Sequence, residues 1–483
     1  MNKKLRLGKR LGRVWGIRFG LILFIGGIII SSPFLQETVH ANDGTKSRAA
    51  KDILVQNQEP VIPASEIQKL IDQAEEGSHL QLKSGVYRGS LKISKTIQLS
   101  GGNQVILQSE GDTPLLTLTG DGIQVEGIQF LDNRTNVETA TIQVTGKQNS
   151  LRNLTIHTFG TGIALRQSTN NHIVDTQVLG RQTEKPVAGA INEERTPGKK
   201  GNGIDLFESS NNQVAGNLVT NMFDGIYVEN SHNNMLTKNE ITDSRYGIHI
   251  MFSENNQLMH NKGDRNVTGA MLMGSDGSIV ADNRFTKQTE NVNSQGILLY
   301  DVQRTQILRN HVEGNRVGLY VETSEKNYFT ENQVLQNFIG LQLIESKNNN
   351  WEHNQFIGNV SPAQAKDSAD NQMSYNYWDT AQVVDVDGDG TSDITYPINP
   401  FFIEVTDQVE AFQIFFQSPG MALLESMFED HEGTFLRDTS PVAQPNDLTQ
   451  SESNSQVWIV FGISLIFLAV STSIIYIMGV RRK

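Results

Sequence analysis

The sequence predicts an all-β fold, a right-handed parallel β-helix, and three observations predict it. A glycine-led phrase recurs at a fixed interval, an asparagine follows it at a constant offset, and residues inside it alternate with period 2. Gly203-Ile-Asp-Leu, Gly225-Ile-Tyr-Val, Gly247-Ile-His-Ile, Gly269-Ala-Met-Leu, Gly296-Ile-Leu-Leu, Gly318-Leu-Tyr-Val and Gly340-Leu-Gln-Leu lie 22, 22, 22, 27, 22 and 22 residues apart. Asparagine stands 14 positions after each glycine: Asn217, Asn239, Asn261, Asn283, Asn310, Asn332 and Asn354. Residues one and three after glycine are aliphatic, while those two and four after it are mixed, which describes a strand with one buried face. A coil of 22 residues cannot bury that face alone, but stacked coils share a continuous core. Parallel pairing then sets equivalent residues in columns about 4.8 Å apart, and an asparagine column lets side-chain amides bond to each other at a turn. Glycine at the strand entrance is expected to permit a tight corner. The Leu-x-x-Leu-x-Leu register of a leucine-rich repeat and the 3.6 period of an α-solenoid are both absent.

Two interruptions have simple readings. The surplus of five residues between Gly269 and Gly296 falls after Asn283, where Thr289-Glu-Asn-Val-Asn can form a loop. Gly162-Ile-Ala-Leu precedes Gly203 by 41 residues, one coil plus about 19, and charged Arg181 to Lys200, with Pro186 and Pro197, is the natural insertion. Ser65-Glu-Ile-Gln68 reads as a capping box opening a short amphipathic helix, with Ile67, Leu70, Ile71 and Ala74 on one face. Such a helix would close the first coil against edge pairing.

The flanks give an address. Residues 1–41 carry seven basic side chains, an apolar run from Leu21 to Ile30 and the small-residue site Val39-His-Ala41. These are the parts of a secretory signal peptide. Residues 42–63 read as a linker and 64–400 as the β-helix. The apolar segment 401–428 holds the candidate partner contacts Phe412, Phe415, Phe416, Leu423 and Leu424. Residues 429–456, polar with Pro441 and Pro445, read as a stalk. Val457 to Val480 is 24 residues without a charge, long enough to cross a hydrocarbon core of about 30 Å as a helix. The tail Arg481-Arg-Lys483 would stay in the cytoplasm. Loss of residues 1–41 would move the net charge from −13 to about −19, which argues against nucleic acid as a partner. With no cysteine, disulfides and thiolate metal sites are excluded.

Chemistry is sought in the outward columns. Two after glycine come Asp205, Tyr227, His249, Met271, Leu298, Tyr320 and Gln342; four after it come Phe207, Glu229, Met251, Met273, Tyr300, Glu322 and Ile344. His249 and Met251 therefore stand beside Met271 and Met273 on the next coil. Imidazole and thioether together suit Cu(I); the competing reading is an adaptable apolar surface for a protein partner. Asp385, Asp387, Asp389, Thr391 and Asp393, with Gly390 at position 6, follow the spacing of a calcium loop, although position 12 is Tyr396 rather than Glu. Asp205, Glu229 and Glu322 are scattered, with no convergent carboxylate pair for glycan cleavage, so the reading is non-enzymatic. Tyr227, Tyr300 and Tyr320 keep a cell-surface polysaccharide-binding β-helix, or a lyase- or epimerase-like enzyme, as the alternative.

Three local motifs carry a family resemblance. Tyr246-Gly-Ile-His-Ile-Met251-Phe-Ser-Glu-Asn-Asn with Gly269-Ala-Met-Leu-Met273-Gly-Ser resembles the central coils of the NosD family, accessory proteins of nitrous-oxide reductase maturation. Tyr375-Asn-Tyr-Trp-Asp379 with the Asp385 to Pro397 segment resembles its closing motif. Ser418-Pro-Gly-Met-Ala-Leu-Leu-Glu and Leu436-Arg-Asp-Thr-Ser-Pro441 resemble its tail. The resemblance implies work outside the membrane with an ABC transporter permease and ATPase, a copper-chaperone lipoprotein and an exported metalloenzyme client such as nitrous-oxide reductase. It also implies that residues 401–428 meet the permease and the His249/Met face meets the copper donor or the client. A membrane anchor departs from the soluble periplasmic members and suits a Gram-positive envelope.

Overall fold

A computed structural model of the chain describes residues 61–445 apart from 103, 135–136, 182–199, 289–293, 369 and most of 409–435, with isolated positions beyond. The signal peptide expected at residues 1–41 lies outside the described residues, as does the membrane helix expected at 457–480 apart from Phe467 and Ser471. Among the described residues, no helix is long and apolar enough to cross a membrane.

The described chain winds into a right-handed parallel β-solenoid of about 13 turns. Three parallel sheets run along it, and the one that carries the outward columns begins at Leu91–Ile93 and ends at Ser361–Lys366. The expected register holds pair by pair. Asp205 pairs with Tyr227, Tyr227 with His249, His249 with Met271, and Met271 with Leu298. The residues one and three after each glycine, such as Ile226 and Val228 or Ile248 and Ile250, are fully buried in the single core running through the coils. Pairing widens to 41 residues between His172 and Gln213, and to 27 between Thr286 and Glu313. The extra residues therefore fall where the sequence places them, at segments outside the described residues.

The asparagine column is a continuous amide ladder. Each Nδ2 donates to the Oδ1 of the next coil at 2.8–3.0 Å from Asn217 through Asn354 and on to Asn376. Two further ladders stand 9 and 19 residues after the glycines, as in Asn327 to Asn349 and Asn315 to Asn337. All are buried, so their amides satisfy turn backbone that would otherwise be orphaned.

Three expectations are corrected. The phrase glycines do not have positive φ; they are needed for close approach instead. A Cβ on Gly225 would lie 2.2 Å from Ile241 Cγ2 and 2.6 Å from the Gly247 carbonyl of the next coil. The first helix, α1, does span Ser65–Gln73, but its N-cap is Ala64 and no side chain caps it. Gln68 instead turns to the edge strand: its Oε1 accepts from the Lys92 N–H at 2.9 Å and its Nε2 donates to the Lys92 carbonyl at 3.0 Å. The edge amide group competes for the glutamine because an unpaired strand edge is costly. Ile67 and Ile71 are buried as expected, whereas Leu70 is exposed. Finally, residues 436–443 are not stalk. Leu436–Asp438 is a strand that pairs antiparallel with Tyr396–Ile398 and docks on Gln372–Ser374, and it ends the solenoid. A second helix, α2 (Phe401–Gln408), buries Phe401 against Phe338 on the flank of the last coils.

Candidate functional site

Three consecutive strands, Asp224–Glu229, Tyr246–Met251 and Thr268–Met273, build a cleft of about 480 Å³ on the outward face. Asn202, Phe223, Asp224, Tyr227, Arg245 and Tyr246 line it together with His249, Met251, Met271 and Met273. The four residues singled out from the sequence are thus brought together. Two of them are not surface groups: His249 is 5% and Met271 7% exposed. The rings of Tyr227 and Tyr246 cover the imidazole edge-on, with centroids at 5.1 and 4.7 Å.

A polar network supports the histidine. Its Nδ1 lies 2.8 Å from Oδ2 of Asp224, a fully buried carboxylate. Arg245 grips the same carboxylate with two bonds of 2.8 Å, Nε to Oδ1 and Nη2 to Oδ2. The guanidinium is in turn held against the Phe223 and Tyr246 rings, 3.7 and 4.3 Å from their centroids. Burial raises the pKa of Asp224, but the hydrogen bonds from His249 and Arg245 outweigh it and hold the carboxyl below its ordinary range. The other ring nitrogen, His249 Nε2, is buried and has no hydrogen-bond partner among the described residues. A buried polar atom left without a partner in a folded protein needs an explanation.

Tyr227 donates to Glu229 Oε2 at 2.7 Å, and Met251 Sδ lies 3.5 Å from the same hydroxyl. Burial first, and then the neighbouring Glu229, push the Tyr227 hydroxyl far above its ordinary pKa. It stays a phenol. Sequence reasoning did not find Asp224, Arg245 or Tyr246 as site residues. The available signal is the column Asp224, Tyr246, Thr268, Gln295, Val317 and Ile339, whose single acid stands one coil before the histidine.

An unpartnered imidazole nitrogen and three thioethers in one cleft fit a soft monovalent ion. The donors are uncharged, polarizable or imidazole, the set that suits Cu(I) rather than a hard cation. The Asp224 charge is offset by Arg245.

The acidic loop is a different case. Asp385, Asp387 and Asp389 have carboxylate oxygens within 4.8 Å of one another, all exposed. Their oxygens are partly spent on turn backbone: Asp385 accepts from Gly388 and Gly390, and Asp389 from Thr391. Asp393 is not in the group; its Oδ2 accepts from the Val386 N–H at 2.8 Å. Of the apolar contacts in segment 401–428, Phe412, Phe415, Leu423 and Leu424 are exposed, and the side chain of Phe416 lies outside the described residues.

A family model described as "Periplasmic copper-binding protein (NosD)" matches residues 185–388, a span that holds every residue lining the cleft. This is a NosD-like β-helix. No curated protein sequence matches the chain. Among solved structures, the A-module of mannuronan C-5 epimerase AlgE6 from Azotobacter vinelandii is similar at 13% identity, with a TM-score of 0.50, over 64% of this chain and 94% of the module. A family 28 exopolygalacturonase from Yersinia enterocolitica is similar at 11% identity and a TM-score of 0.50, over 66% of this chain and 79% of the enzyme. At such identity these likenesses show the solenoid fold alone. The matched span includes the two coils whose outward columns carry His249, Met251, Met271 and Met273.

Proposed function

We propose that the chain is a non-enzymatic, exported accessory protein that takes Cu(I) between His249 Nε2 and the thioethers of Met251, Met271 and Met273, and passes it to an exported metalloprotein. The buried His249 Nε2, without a partner among the described residues, in a thioether-lined cleft carries this reading. Copper is cargo here, so the site is built to bind and release rather than to react. The match to a periplasmic copper-binding family supports both the metal and a location outside the membrane. Following the resemblance, the client is nitrous-oxide reductase or a similar enzyme, a copper-chaperone lipoprotein is the donor, and an ABC transporter permease and ATPase are partners. The exposed Phe412, Phe415, Leu423 and Leu424 are the proposed contact with the permease. Anaerobic titration with Cu(I) against a chromophoric chelator tests the site. The wild-type chain is expected to take one equivalent, and Met251→Ala/Met271→Ala/Met273→Ala to bind roughly 100-fold more weakly or worse, about 2.7 kcal/mol. Equal binding by both proteins would sink the assignment.

One observation favours a second reading. A buried Asp224–His249 pair beside Tyr227 and Arg245 could serve acid–base chemistry on a polyuronate. Against it, burial and then Glu229 hold Tyr227 as a phenol, and three thioethers line the cleft where a sugar acid needs cationic or hydrogen-bonding groups. Turnover of a polyuronate to an unsaturated product, lost in His249→Gln, would favour the enzyme.

A further inference from the structure

We propose that Asp224, clamped by Arg245, is a positioning residue that fixes His249 with its proton on Nδ1 and so offers Nε2 as a lone pair to the ion. This rests on the copper reading above and adds the device that makes the histidine a ligand. Asp224 Oδ2 receives two groups, His249 Nδ1 and Arg245 Nη2, both at 2.8 Å, while Oδ1 receives Arg245 Nε. An ionised carboxylate only accepts, so the imidazole nitrogen facing it must be the donor. The tautomer follows, because the hydrogen bond at one ring nitrogen decides the state of the other. Rotation is restrained as well: Tyr227 and Tyr246 meet the ring at interplanar angles of 63° and 75°. Arg245 does two things at once. It holds Asp224 in place through a two-pronged bond, and it occupies the carboxylate so that Asp224 serves as a support rather than as a ligand. The cleft is left with neutral donors, which favours a monovalent ion over a divalent one where burial penalises charge. Support of a metal-bound histidine by a carboxylate is commonly worth roughly 10- to 100-fold in affinity.

The test separates this device from the copper reading. The full chain labelled with 15N-histidine is studied without metal, and the His249 signals are assigned by their loss in His249→Gln. Wild type is expected to show a protonated Nδ1 and an unprotonated Nε2. A wild-type His249 carrying its proton on Nε2 overturns the proposal without recourse to any variant. In Asp224→Ala the proton is expected to move to Nε2 or to exchange between the two nitrogens, and Cu(I) affinity to fall roughly 10- to 100-fold. Asp224→Asn keeps an oxygen that can accept from Nδ1, so most of the affinity and the wild-type tautomer are expected to return. Unchanged tautomer and affinity in a folded Asp224→Ala protein would contradict the proposal. Failure of the copper reading appears separately, as equal Cu(I) binding by wild type and His249→Gln.

Discussion

Gly225→Ala is expected to destabilise the central coils by about 3 kcal/mol or more, the upper range for overpacking a tight interior. The added Cβ would sit 2.2 Å from Ile241 Cγ2 and 2.6 Å from the carbonyl oxygen of Gly247. Neither neighbour yields easily. Ile241 is fully buried in the core, and the Gly247 carbonyl belongs to the ladder between coils. Moving the carbonyl disturbs the parallel pairing between Asp224–Glu229 and Tyr246–Met251, and moving the isoleucine opens a void. A solenoid has only nearest-neighbour interfaces, so the damage is expected to be local. Hydrogen exchange followed by mass spectrometry should show lost protection over the strands Ile204–Phe207, Asp224–Glu229 and Tyr246–Met251. Gly102→Ala is the control: nothing lies within 4 Å of its added Cβ. Equal protection in both variants would refute the close-approach explanation of the glycine column.

Asp438→Ala is expected to release the closing strand at a cost of about 3–5 kcal/mol, from two or more buried donors left unpaired. Asp438 is fully buried and terminates the longest amide ladder. Its Oδ2 accepts from the Asn376 side chain at 2.9 Å, from the Asn376 backbone N–H at 3.2 Å, and from Trp378 Nε1 at 3.0 Å. Trp378 in turn stacks between Phe356 and Tyr396, at 4.1 and 4.8 Å between centroids. Without the carboxylate the last coil has an open end and a tryptophan with an unpaired N–H. Limited proteolysis should then cut around residues 436–443, with a red-shifted tryptophan emission. Asp438→Asn, which keeps an acceptor oxygen, is expected to lose less. Wild-type resistance to protease in Asp438→Ala would show that the docked strand is held by something other than this residue.

Much of this was legible in the sequence, and for a physical reason. A solenoid maps sequence offset onto position, so Gly225, Gly247 and Gly269 set the coordinates from which His249, Met251, Met271 and Met273 fall on one face. The same arithmetic at offsets of 9 and 19 would have found the two other asparagine ladders. What columns cannot show is a contact that runs diagonally between coils. Asp224 shares a column with Tyr246, yet its carboxylate reaches His249, three positions further along that coil. Burial is also invisible to the alternation rule: His249 and Met271 occupy outward positions and are enclosed by side chains of neighbouring strands. The closing strand escaped notice because prolines and polar residues around Leu436–Asp438 read as linker, while its hold on the solenoid is a hydrogen-bond network rather than an apolar face. The glycines were placed correctly but for a different reason, since steric room and backbone freedom select the same residue.

The most direct test of the His249/Met site is copper K-edge X-ray absorption on the full chain loaded with one equivalent of Cu(I) under anaerobic conditions. The expected spectrum has sulfur scatterers and a single imidazole in the first shell, with the imidazole contribution lost in His249→Gln and sulfur reduced in Met271→Ala. A first shell of nitrogen and oxygen alone, or one unchanged in both variants, would contradict the assignment of copper to this cleft.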